Sequence, residues 1–148
     1  VVIANSSDDV NGYQPSDYEA GLALTINKLT DAGIKVAVIK VIPKPLKWDP
    51  GKCSPLAVLT DFGTCSFDSF PLRESFATQA ANQSEQRAAD SGGAATWDYS
   101  GDLCPAAVCV GVRQGAYVWR DRSHLSVAGS GMLSDSMSRD LARSVQPD

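Results

Sequence analysis

The segment WRDRSHLSVAG, residues 119–129, holds the only histidine of the chain, His124, three residues after Asp121. An imidazole can take the proton of a hydroxyl nucleophile, and a carboxylate on its other ring nitrogen holds the tautomer and supports the imidazolium that forms. An Asp-x-x-His segment in a turn ahead of a helix lets the carboxylate fold back onto one ring nitrogen and leaves the second for a substrate. The same spacing also suits a solvated surface histidine, so the pair needs a nucleophile and a context. Ser91 in ADSGGA stands where a helix is expected to end, and Ser6 and Ser7 follow the first apolar run. None of these three reads as the partner of His124.

The four cysteines fall into two local pairs, Cys53 with Cys65 and Cys104 with Cys109. An even count at short spacings reads as two small disulfide loops and an oxidising compartment. Buried free thiols are a second reading. A four-cysteine zinc site is a third, but neither pair has the C-x2-C form of a zinc knuckle, and no metal or other cofactor is called for. Connectivity does not follow from sequence alone, although Pro105 and the short gap make Cys104 and Cys109 the natural pair.

What positions these residues can be read from the rest of the chain. Its 148 residues suit one domain with one core, and 43% hydrophobic with 20% charged residues is ordinary globular composition. A net charge of -4 gives no electrostatic attraction to phosphate backbones, so nucleic acid is not an expected partner. No apolar run approaches the ~20 residues that span a bilayer.

After VVIA and a polar loop, SDYEAGLALTINKLTDAG predicts a helix, with Ser16 and Glu19 as a capping box, Leu22, Ile26 and Leu29 at helical spacing, and Gly33 as the stop. IKVAVIKVIP is β-branched and bounded by Gly33 and Pro43, so it predicts a strand, parallel to the first through the crossover helix. From Pro43 to about Phe70 a stapled loop is expected, with at most one short helix near SPLAVLTDF. LRESFATQAANQSEQRAAD predicts a second helix ended by SGG, AATWDY a short strand, and VCVGV and AYVW extended segments. A closing helix over LSVAGSGMLSDSMSRDLARSV would take Ser126 as its N-cap. Alternation of this kind predicts an α/β three-layer sandwich around a mainly parallel sheet, with NSSDD and RDRSH both leaving carboxyl ends of strands.

The stretch DLCPAAVCVGVRQGAYVWRDRSHLSVAGSGML resembles the C-terminal block of SGNH hydrolases, above all the extracytoplasmic SGNH domains attached to family 3 membrane acyltransferases. DYEAGLALTINKLTDAGIKVAVIKVIP is similar to that family's helix and strand after its third block. The resemblance covers nearly the whole chain and is most specific at DRSHLS. It implies an SGNH or flavodoxin-like fold and a serine-dependent ester hydrolase or O-acyltransferase acting on a cell-envelope glycan or similar alcohol. Asp121 matches the triad acid and His124 the triad base. Asn5 matches the third-block position that supplies an oxyanion-hole asparagine, although Ile3 stands where a glycine usually precedes it. An asparagine that simply turns the chain at a strand end fits the same residue.

The family's Gly-Asp-Ser lies on a strand ahead of this block and has no counterpart in the 148 residues. Reading VVIANSSDD as that first block would leave too little chain for the missing elements. The expectation is a single SGNH-like domain over 1–148 that lacks the first strand and nucleophile segment. That segment, an acyl donor, an alcohol acceptor and a fused membrane acyltransferase domain are the implied partners, and a membrane-tethered extracytoplasmic location is implied with them. The alternative is a non-catalytic envelope module that keeps the fold and positions glycan.

Overall fold

A computed structural model of the chain describes residues 1–4, 14–44, 52–60, 65–68, 76–105 and 108–145. In chain order the elements are β1 (Val2–Ala4), α1 (Pro15–Asp31), β2 (Ala37–Ile39), α2 (Pro55–Thr60), β3 (Ser66–Asp68), α3 (Phe76–Gly92) and β4 (Ala95–Trp97). They are followed by α4 (Ser100–Leu103), β5 (Val108–Val110), β6 (Val112–Arg113), β7 (Ala116–Tyr117), α5 (Val127–Gly131) and α6 (Ser134–Val145). These form two compact units, Val1–Val41 with Glu74–Asp98 and Ile42–Arg73 with Tyr99–Asp148.

The first unit is a parallel sheet in the order β1-β2-β4, packed with α1 and α3, and the fold is of the α/β class. Val38 lies opposite both Ile3 and Thr96. Its core joins Leu22 and Ile26 of α1, Val36 and Val38 at β2, and Ala88 and Ala89 of α3. The alanines of α3 let α1 approach closely, and Ile26, fully buried there, contributes about 2 kcal/mol relative to exposure. β1 forms one edge of this sheet, with Val1 and Val2 exposed.

The helix predicted over 16–33 is present, but its start differs from the capping box. Gln14 is the N-cap and makes no side-chain cap bond, Pro15 takes the first turn, and Ser16 falls inside the helix. Proline has no N–H to satisfy and its φ is already helical, so it outcompetes a serine cap one position later. Glu19 is bound instead by Arg87 of α3, whose Nε donates at 2.9 Å. At the other end Gly33, at φ 76°, stops α1 as expected. Its N–H donates to Thr30 and that of Ile34 donates to Leu29, the paired bonds of a Schellman turn.

The parallel sheet is as expected, and the second unit holds antiparallel pairs of its own. β3 pairs antiparallel with β5, and β6 pairs antiparallel with β7 through a turn whose Gln114 and Gly115 both have positive φ. Two such residues make a primed turn, which matches the twist of a hairpin. AYVW is thus the return arm of a hairpin and not a strand of the parallel sheet, which corrects the picture of RDRSH leaving that sheet's carboxyl end. β3 and α4 were also not expected, and the closing helix is divided at Met132 and Leu133 into α5 and α6. The short helix near SPLAVLTDF is α2.

Cys53 is bonded to Cys65 and Cys104 to Cys109, and all four cysteines are buried. The first bridge closes a loop of 12 residues, for which lost chain entropy in the unfolded state is worth about 3 kcal/mol. Thiol titration of the unfolded, unreduced protein is expected to find no free group, and reactive thiols at any of the four positions would show that the bridges do not form.

Candidate active site

The hairpin that begins with β6 and β7 continues beyond them. Val118 N–H donates to the Gly111 carbonyl and Ser126 N–H to the Val118 carbonyl, each at 2.9 Å, while Trp119 bridges antiparallel to Leu125. Arg120 N–H donates to the His124 carbonyl at 2.8 Å. Residues 121–123 are therefore the tip of a tight turn, and Asp121 and His124 sit on its two sides. Gly111 N–H in turn donates to the carbonyl of Cys65, which ties this ladder to the first disulfide.

Both stems of the turn are anchored. On the incoming side Val118 and Trp119 are completely buried, and the indole N–H donates to the Pro43 carbonyl at 3.3 Å. On the outgoing side Ser126 is the N-cap of α5, as expected: its Oγ accepts from Gly129 N–H at 2.9 Å. The same hydroxyl donates to the Tyr117 carbonyl. Gly129 is needed here because a Cβ would land on the carbonyl of Val118 and push α5 off the strand.

Asp121 organises the tip. Its Oδ1 accepts from the backbone N–H of Ser123 and of His124, both at 2.9 Å, and lies 2.8 Å from His124 Nδ1. Oδ2 is 3.0 Å from the same ring nitrogen and 3.1 Å from Arg120 Nε. The Ser123 backbone N–H, with further bonds from the His124 ring, Arg120 and the His124 N–H, outweighs desolvation and holds the carboxyl well below the usual carboxylate range. An ionised carboxylate only accepts, so Nδ1 is the donor in this contact, and in a neutral ring that tautomer leaves the lone pair on Nε2. Nε2 makes no hydrogen bond among the described residues, and the His124 side chain is 63% exposed. The arrangement can take a proton from a hydroxyl brought to Nε2.

Ser123, which the sequence reading passed over, places its hydroxyl 3.2 Å from His124 Nδ1 and 3.3 Å from Asp121 Oδ1. Facing the protonated nitrogen, it cannot hand its own proton to the base and instead helps hold the turn. An Asp whose side-chain oxygen accepts from the backbone N–H two residues on makes a common Asx turn, a signal available in the sequence. The Trp119 bond to Pro43 spans 76 residues and had no such signal. Ser91 donates to the Ala88 carbonyl in the last turn of α3, consistent with its dismissal. Asn5, Ser6 and Ser7 lie outside the described residues. Among the described residues no three His, Cys, Asp or Glu side chains are placed to hold a metal.

The family model of the SGNH domain (fused to AT3 domains) matches residues 1–139. Among solved structures, a peptidoglycan O-acetylesterase is similar with TM-score 0.65 and 17% identity, over 97% of this chain and 37% of that one. The periplasmic domain of a lipopolysaccharide acetyltransferase from Salmonella ser. Paratyphi A is similar with TM-score 0.65 and 19% identity, over 96% of this chain and 56% of that one. At such identities the likeness is one of fold, and the chain spans roughly a third to a half of these neighbours' length. No curated protein matches in sequence.

Proposed function

Given that the chain belongs to the family of SGNH domains fused to AT3 domains, we propose that it is the acid–base portion of an O-acyl hydrolase or O-acyltransferase acting on a cell-envelope glycan or similar alcohol. The carrying observation is the 2.8 Å contact of His124 Nδ1 with an Asp121 carboxylate that stays ionised, with Nε2 left as the lone-pair nitrogen. Its support in the family is the coverage of residues 1–139. The acetyl chemistry of the two structural neighbours, one acting on peptidoglycan and one on lipopolysaccharide, supports an O-acetyl group on an envelope glycan as the substrate class.

In the proposed reaction a serine hydroxyl loses its proton to His124 Nε2 as its oxygen attacks the acyl carbonyl. The imidazolium, supported by Asp121, then returns the proton to the departing alkoxide, leaving an acyl-serine. Water or an acceptor hydroxyl repeats the cycle in the second half, with His124 again taking and returning one proton. Asn5 and backbone N–H groups are proposed to hold the oxyanion. The serine is proposed to lie on a segment preceding this stretch of the protein. A fused AT3 membrane domain is the proposed neighbour, and it puts the reaction on the extracytoplasmic face. Among the described residues no helix is long and apolar enough to cross a membrane.

The test is the pH dependence of acetyl-ester turnover by the full-length protein. Asp121 has a depressed carboxyl, so its bonds in the turn are present above the ordinary carboxylate range and are lost only as pH falls through the depressed value. The carboxylate thus stays in place over the whole range in which an imidazole changes charge. Activity should fall on the acid side with the slope of one proton, the one that His124 takes up. A slope of two, or an acid limb unchanged when His124 is replaced, would contradict the assignment.

A further inference from the structure

We infer that Ser126 is a positioning residue for the Asp121–His124 pair, acting by fastening the start of α5 to β7 so that both stems of the turn are held. This rests on the proposed reaction but concerns a residue that takes no proton in it. The Ser126 hydroxyl uses its donor on the Tyr117 carbonyl and a lone pair on Gly129 N–H, while its backbone N–H is spent on Val118. One side chain therefore links the last residue of β7 to the first turn of α5. Ser126 lies two residues after His124, and between them Leu125 bridges to the buried Trp119.

On the incoming side the turn is fixed by burial of Val118 and Trp119. The outgoing stem has less to hold it: Leu125 is only partly buried and Val127 is 93% exposed. The hydroxyl bonds of Ser126 supply what apolar packing does not. The Arg120–His124 backbone bond and the contact of the ring with Asp121 both depend on where that stem begins. Without the hydroxyl, Tyr117 and Gly129 lose a partner each and the outgoing stem can separate from the strand. A displacement of about 1 Å at an acid–base group is enough to cost up to about a hundredfold in rate.

The experiment compares wild type with Ser126→Ala, Ser126→Thr and Ser126→Asp in the full-length protein. The readouts are p-nitrophenyl acetate turnover, thermal melting, and the proton resonance of the His124 Nδ1–H, assigned by its loss in His124→Gln. Ser126→Ala is expected to lower kcat about ten- to a hundredfold with little change in KM, and to weaken or broaden the Nδ1–H signal. Threonine keeps donor and acceptor and should restore most of both. Aspartate can still cap α5 but cannot donate to the Tyr117 carbonyl, so it should melt near wild type and remain slow. Wild-type kcat and an unchanged Nδ1–H signal in Ser126→Ala would overturn the inference, as would failure of a normally melting Ser126→Thr to recover. If the alanine variant does not fold, the threonine and aspartate variants decide. Failure of the base assignment itself would appear separately, as full activity in His124→Gln, while the Nδ1–H signal still reports on Ser126 without turnover.

Discussion

Replacing His124 by alanine in the full-length protein is expected to lower acetyl-ester turnover by about three orders of magnitude or more, with the fold intact. The side chain is 63% exposed and its side-chain hydrogen bonds among the described residues are with Asp121 and Ser123, so its loss creates no cavity. Asp121→Asn is expected to cost somewhat less, on the order of a hundredfold or above, by a different route. The amide oxygen of an asparagine can still accept from the N–H groups of Ser123 and His124 and preserve the turn. That choice puts the amide NH2 in the place of Oδ2, 3.0 Å from Nδ1, where it competes with the oxygen for the ring nitrogen and favours the tautomer in which Nδ1 accepts. In that tautomer the proton sits on Nε2, where a base needs a lone pair, and the neutral amide gives an imidazolium no charge to support it. Steady-state kinetics with a melting curve for each variant are the measurement, and wild-type turnover by a folded His124→Ala protein would reject the triad.

A serine-reactive fluorophosphonate is expected to label the longer protein on a residue ahead of Val1 and to leave residues 1–148 unmodified. The reagent reports a serine activated by a neighbouring base, not serines in general. Ser123 faces the protonated ring nitrogen, and the Ser91 hydroxyl is spent on the Ala88 carbonyl within α3. Ser126 is committed to Tyr117 and Gly129. The sequence contains no Gly-Asp-Ser, the setting in which the resemblance to SGNH hydrolases would put the nucleophile. Mass spectrometry of the labelled, digested protein locates the adduct. Stoichiometric modification at Ser6, Ser7 or Ser91 would place the nucleophile inside this stretch and require a different arrangement around His124. No adduct anywhere in an intact, folded full-length protein would favour a glycan-positioning module over an enzyme.

The parts of this molecule legible in the sequence are those determined by neighbours along the chain. Asp121 and His124 are three residues apart, so their contact could be anticipated from the turn that joins them. The same holds for Ser126 as a cap, Gly33 as a stop and the two cysteine pairs. What escaped was decided by partners distant in sequence. AYVW has the composition of a buried parallel strand, but Gln114 and Gly115 return it onto VR, and nothing in its own residues distinguishes the two outcomes. SFD becomes a strand only because VCV lies beside it. Ser16 failed as a cap for a local reason that was available, the proline immediately before it.

Because both members of the pair ride on one turn, the bonds that join them lie within residues 120–124, and what the surrounding elements supply is the anchoring of its two stems. The 2.8 Å contact of ring and carboxylate closes through backbone bonds internal to residues 120–124, and it travels as one cartridge as long as both stems are fastened. A triad whose acid and base come from separate elements must hold three distances at once across its fold. Here the proposed reaction leaves one to be set, from Nε2 to the attacking oxygen. With the stems held, drift elsewhere in the scaffold is thus read out at that single coordinate.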